Sequence, residues 1–182
     1  MFDANILITQ QGTQYRQSKA DAGRSAAHRA AVRLYATTRL HSRLAALFGR
    51  TQQLPNLASL TRHSTVKGQH DAGLQTVRID QIRGSEGRSQ DFDASFRPLT
   101  EHTKQRWLSV ASAWFQGLTL PPVELIQVGD SYYVRDGHHR VSVARAIGQQ
   151  HIEAEVLVWQ VVENPAPATT RFNRPALAPA TA

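Results

Sequence analysis

The chain has 182 residues, 41% of them hydrophobic, with 21 basic against 14 acidic side chains for a formal charge of +7. That length fits one domain with appendages, and the basic excess favours polyanionic partners. There is no cysteine, which excludes disulfides, thiolate nucleophiles and Cys-ligated zinc or iron–sulfur centres.

Residues 21–49 carry a helical pattern. Ala27, Ala31, Leu34, Leu40, Leu44, Leu47 and Phe48 form a broken apolar stripe that drifts near Thr37 and Thr38, so one long helix and two short ones both fit. Asp21 is a candidate N-cap and Gly49 a candidate stop. The surrounding stretch, 16–50, is arginine-rich and poor in acid, a composition shared with transit peptides. No apolar run reaches the roughly 18 residues of a membrane span, so a soluble cytoplasmic protein without membrane contact is expected. Residues 51–72 are polar and weakly patterned and read as a connector with a short helix near Leu57 to Leu60.

From residue 73 helices and strands interleave, which predicts a mixed α/β layer fold. "LQTVRIDQI" alternates as a strand, and Gly84 and Gly87 mark a loop. "TKQRWLSVASAWFQG" places Trp107, Val110, Ala111 and Trp114 on one helical face and closes at Gly117. "PPVELIQVGDSYYVRD" predicts a hairpin turning at Gly129-Asp130. A helix from about His138 to Ile147 follows, with Gly148 past its end, and then a strand "IEAEVLV". The organisation expected is a basic helical extension and connector over 1–72, a folded domain over 73–162 and a disordered Pro/Ala-rich tail over 163–182.

The chemistry concentrates at "RDGHHR", where a strand gives way to a helix. A helix start leaves backbone N–H groups without partners and carries about half a positive charge, so it stabilises an anion. Gly137 gives access to that turn. His138 and His139 are candidate donors, and Arg140 offers a planar fork for phosphate. Arg145, one turn further on, is a candidate helper, and Asp136 a candidate cap, cation ligand or acceptor of a substrate hydroxyl. Four metal ligands at recognisable spacing are absent, so no protein-held metal site is expected. Magnesium associated with a phosphate is compatible, because it needs only one or two carboxylates. The arginines of the N-terminal helix are the candidate contacts with DNA.

The order "TVRIDQI", "GRSQDFD", an amphipathic helix and then "LPPVELIQVGDSYYVRDGHHRVSVARAIGQQHIEAEV" resembles the ParB/sulfiredoxin superfamily over about Leu74 to Val158. Within it the chain is similar to bacterial ParB-like nuclease-domain proteins, and "DGHHR" is similar to the junction of ADP-dependent free-serine kinases. The resemblance implies a small mixed-sheet domain with nucleotide phosphates, from CTP or from ATP or ADP, on the turn Gly137 to Arg140. It implies Arg88 as a second contact and Glu86 as a candidate base for nucleotide hydrolysis or phosphoryl transfer. Sulfiredoxins carry a cysteine where His138 stands, so their sulfur chemistry is excluded. No helix-turn-helix follows the last strand, so centromere-type DNA binding is not expected; the alternative, a non-catalytic DNA-associated module, rests on the charge of +7 and the arginines of the N-terminal helix. The base preference, the acceptor and the oligomeric state are not readable at this level.

Overall fold

The computed structural model describes residues 4–49, 52–62 and 64–163. Helix α1 (Ala4–Leu47) comes first, then α2 (Leu57–Thr61), β1 (Ser64–Arg78), β2 (Ile82–Ser85), α3 (Lys104–Phe115), β3 (Val123–Val128), β4 (Ser131–Asp136), α4 (His138–Ala146) and β5 (His151–Glu163). The five strands make one mixed sheet in the order β1-β5-β3-β4-β2, with β2–β4 and β3–β5 parallel and the other pairs antiparallel. The fold is therefore α/β, as the interleaved pattern requires. No described helix is long and apolar enough to cross a membrane.

The main core lies between the sheet and α4. Val77, Leu125, Val134, Ala154 and Val156 point from the strands at Val141, Phe92 and Phe96. The hairpin turns at Gly129, whose φ of 57° suits glycine. Helix α4 ends as expected: Gly148 takes a φ of 76°, and the N–H groups of Gly148 and Gln149 donate back to Arg145 and Ala144.

Several boundaries differ from the sequence expectations. The strand expected over "LQTVRIDQI" stops at Arg78, and a one-turn 3-10 helix (Ile79–Gln81) separates it from β2, so Gly84 lies in a strand and not in the loop. Strand β1 begins at Ser64, upstream of the expected boundary at 72/73. Its polar sequence disguised it, because it is an edge strand with only its β5 side paired. Helix α1 is continuous, so Asp21 is not an N-cap and instead pairs with Arg24 within the helix. Trp114 is largely exposed beside Phe115 at the end of α3, whereas Trp107 is fully buried. The tail expected beyond Glu163 lies outside the described residues.

The N-terminal helix is docked and not a free extension. Ala31 and Tyr35 bury against Trp107, Ala111 and Val143. The Tyr35 and Trp107 rings meet edge to face at 5.3 Å. Arg39 fixes the register by donating to the carbonyls of Pro98 at 2.8 Å and Leu99 at 2.6 Å. Its inner face continues through Thr38 and Ser42, both buried, while Leu40, Leu44, Leu47 and Phe48 rotate out to solvent. The drift in the sequence stripe marks that divergence.

Candidate functional site

The strand-to-helix junction is built by sterics before it is a binding feature. Gly137 takes a φ of 93°, and a Cβ there would lie 2.6 Å from Val123 Cγ1 and 3.0 Å from Arg140 Nε. Glycine is thus required to seat the helix start on β3, whatever it offers a ligand. Gly137 is the N-cap of α4, and no side chain caps it. Asp136, a candidate cap, accepts a hydrogen bond from Arg140 at 2.6 Å instead. The first N–H groups of α4 therefore keep their donor capacity.

The helix start opens on a cleft of about 450 Å³. Asp136, Gly137, His138, His139 and Arg140 form one wall, and Arg88, His102, Thr103 and Arg106 contribute from the loop after β2 and the start of α3. The structure thus brings the junction residues and Arg88 together. It adds Arg106 and His102, neither of them among the phosphate contacts expected from the sequence. No local signal marks them, since they reach the cleft only through the packing of α3.

The two histidines do not stand ready as donors to an anion. Ser85 Oγ accepts from the N–H of Gly87 at 3.2 Å and of Arg88 at 2.9 Å, and it lies 2.7 Å from His138 Nε2. A hydroxyl has two lone pairs and one proton. With both lone pairs engaged, the proton is donated to His138 Nε2, so that ring carries its own proton on Nδ1. Burial, reinforced by the Arg88 guanidinium, pushes His138 down to about 4. Burial with Arg88 and Arg106 pushes His139 to about 4 as well. Both are neutral at pH 7, and the positive field comes from the arginines and the helix start. His138 also stacks on Phe92 with ring centroids 6.1 Å apart, and His139 meets the same ring edge-on at 5.5 Å. His139 Nε2 is shielded from solvent and lacks a hydrogen-bond partner among the described residues.

The arginines divide into committed and available. Arg140 donates to the carbonyls of Pro121, at 2.8 Å, and Pro122, and its other nitrogen holds Asp136. It clasps the chain leading into β3 and presents little free donor capacity to the cleft. Arg145 is not a cleft residue. It donates to the carbonyls of Ile79 at 2.9 Å and Ile82 at 2.6 Å, and its guanidinium lies 4.8 Å over the Phe96 ring. Arg88 is half-exposed, with one loose contact to Asp91 at 3.8 Å. Arg106 is exposed. Glu86 lies 3.7 Å from Arg135 and is not among the cleft residues. Asp136 is the carboxylate in the cleft wall. Among the described residues, no group of three or more His, Cys, Asp or Glu is placed to hold a metal ion.

No family model matches the chain, and no curated protein does. Among solved structures, the chain is similar to sulfiredoxin from Arabidopsis thaliana, at 19% identity and a TM-score of 0.32, over 46% of this chain and 82% of that one.

Proposed function

We propose that the cleft binds the phosphates of a nucleotide, CTP or ATP or ADP. The observation that carries this reading is the uncapped start of α4 in a cleft whose available side-chain charges are Arg88 and Arg106. Backbone N–H groups would take phosphate oxygens, and the two guanidiniums would take the remaining charge. The ParB/sulfiredoxin resemblance of the sequence supports the same location. Magnesium arriving on the nucleotide would meet Asp136, supplying charge neutralisation between phosphates.

Binding is the better-supported part of this reading. Glu86 faces Arg135, and Asp136 is tied to Arg140, so neither carboxylate is set up as a base for hydrolysis or phosphoryl transfer. Calorimetric titration of CTP, ATP, ADP and GTP with magnesium tests the proposal. Arg88→Ala and Arg106→Ala should each weaken binding by about 1.5–3 kcal/mol, a loss of tenfold or more. Absence of binding by any of the four at millimolar concentration would sink it. The alternative, a DNA-associated module using the α1 arginines, is less favoured. The exposed Leu40, Leu44 and Leu47 among those arginines do not suit a phosphate backbone.

A further inference from the structure

The two faces of the sheet are unequally covered. One carries the main core beneath the helices. Among the described elements, the other receives α2 alone, whose Leu57 packs on Ile126 and Tyr133, with Val128 and Trp159 at the margin. Strand register extends this second face beyond α2. Leu74 lies opposite Glu155, Asp71 opposite Leu157 and Val66 opposite Val161, while Glu124 lies beside Glu155 and Ile126 beside Leu157. Leu74 is 63% exposed. Asp71, Glu124 and Glu155 are exposed and make no ion pair among the described residues. Two carboxylates side by side on neighbouring strands repel each other, so Glu124 and Glu155 favour a cation brought from outside the fold.

Helix α1 carries the complementary chemistry. Its outward side presents Arg29, Arg33, Leu40, Arg43, Leu44 and Leu47 within an arc of roughly 100° at 3.6 residues per turn. Leu47 is 78% exposed and Leu40 55%. Arg29 and Arg33 make no ion pair among the described residues. From Arg29 to Leu47 the helix runs about 27 Å. The open sheet face from Glu155 to Val161 runs about 20 Å along β5. The helix is long enough to lie along it, but not on its own sheet, because α1 is docked on α3 and α4 on the far side.

We propose that α1 of one copy docks on the open sheet face of a second copy. Leu40, Leu44 and Leu47 would cover Leu74, Leu157 and Val161, with arginines against Glu124, Glu155 and Asp71. The two surfaces are different and lie on opposite sides of the molecule. Their contact is heterologous, so it propagates from copy to copy rather than closing as a two-fold dimer.

Sedimentation velocity on the full chain and on two blocked variants tests this. Leu40→Glu/Leu44→Glu blocks the helix side, and Glu124→Arg/Glu155→Arg blocks the sheet side. The wild type should grow with concentration and shrink with added salt. Each variant alone should be monomeric, with a circular-dichroism spectrum and melting curve like the wild type. An equimolar mixture of the two should give a one-to-one dimer and nothing larger, because one intact helix face meets one intact sheet face. A wild type that stays monomeric at its highest soluble concentration in low salt overturns the proposal. So does a mixture of folded variants that stays monomeric. Should the wild type be monomeric while the helix variant alone loses salt-sensitive DNA binding, the helix face belongs to nucleic acid and not to a second copy.

Discussion

Replacing Ser85 by alanine removes one oxygen and breaks three hydrogen bonds at once. The hydroxyl is fully buried; it donates to His138 Nε2 at 2.7 Å and accepts from the N–H groups of Gly87 and Arg88. Gly87 and Arg88 are exposed, so water can replace the oxygen at their N–H groups for little cost. His138 is 5% exposed, and its Nε2 would be left without a partner. An unsatisfied buried acceptor costs about 1–3 kcal/mol, and the two N–H groups add a few tenths each, for a total of about 1.5–4 kcal/mol. For a chain of this length that is a fall in Tm of roughly 3–15 °C. Calorimetric melting measures it. Nitrogen NMR of the imidazole gives an independent reading: His138 should be protonated on Nδ1 in the wild type, and the Nε2 resonance should move in the variant. Arg88, no longer anchored at its backbone, should also lose nucleotide affinity. A variant that melts within a degree of the wild type, with an unchanged imidazole spectrum, refutes the assignment of that hydrogen bond.

Stability should depend on acid through the same histidine. His138 is depressed from 6.5 to about 4 by burial, so the unfolded chain binds the proton first. The contribution is full above pH 6.5 and is lost as pH falls towards 4, amounting to roughly 3 kcal/mol, which denaturant melts across that window measure. Gly137→Ala forces a side chain into φ 93° and against Val123, and urea unfolding should report a loss of about 2–4 kcal/mol. Arg140→Ala leaves the carbonyls of Pro121 and Pro122 without their donor. It should lower stability by about 1.5–3 kcal/mol while weakening nucleotide binding less than Arg88→Ala, as paired melting and calorimetric experiments would show.

The junction was legible because its determinants are local. A glycine followed by apolar residues at helical spacing specifies the turn and the helix wherever they occur in a fold. The same locality explains why the turn at Gly129 and the stop at Gly148 stand where the sequence placed them. The partner of His138 was not legible, since Ser85 lies 53 residues away and nothing in either neighbourhood names the other. Arg106 enters the cleft only because Trp107, next to it, is pinned by Ala31, Tyr35 and Val143. Arg140 looked like a phosphate ligand because an arginine on a helix start is a good donor, and Arg145 because it follows on the same helix. The fold offers both of them backbone carbonyls first. The first half of β1 escaped notice because the edge strand presents polar residues on both sides, which removes the alternation that identifies a half-buried strand. The leucines of α1 belong to one broken stripe in the sequence, which does not reveal that the inner face of the helix continues through Thr38 and Ser42.

The fate of the arginines changes what the net charge means. Arg39 is spent on Pro98 and Leu99, Arg97 on Asp93, Arg140 on Pro121, Pro122 and Asp136, and Arg145 on Ile79 and Ile82. Each still contributes to the far field that draws a polyanion in, but none is free to sit against a phosphate and displace its counterion. The salt dependence of binding counts displaced counterions and not formal charges. A nucleic acid or nucleotide should therefore be attracted to this surface as to a strongly basic protein, yet be released by salt as from a weakly basic one.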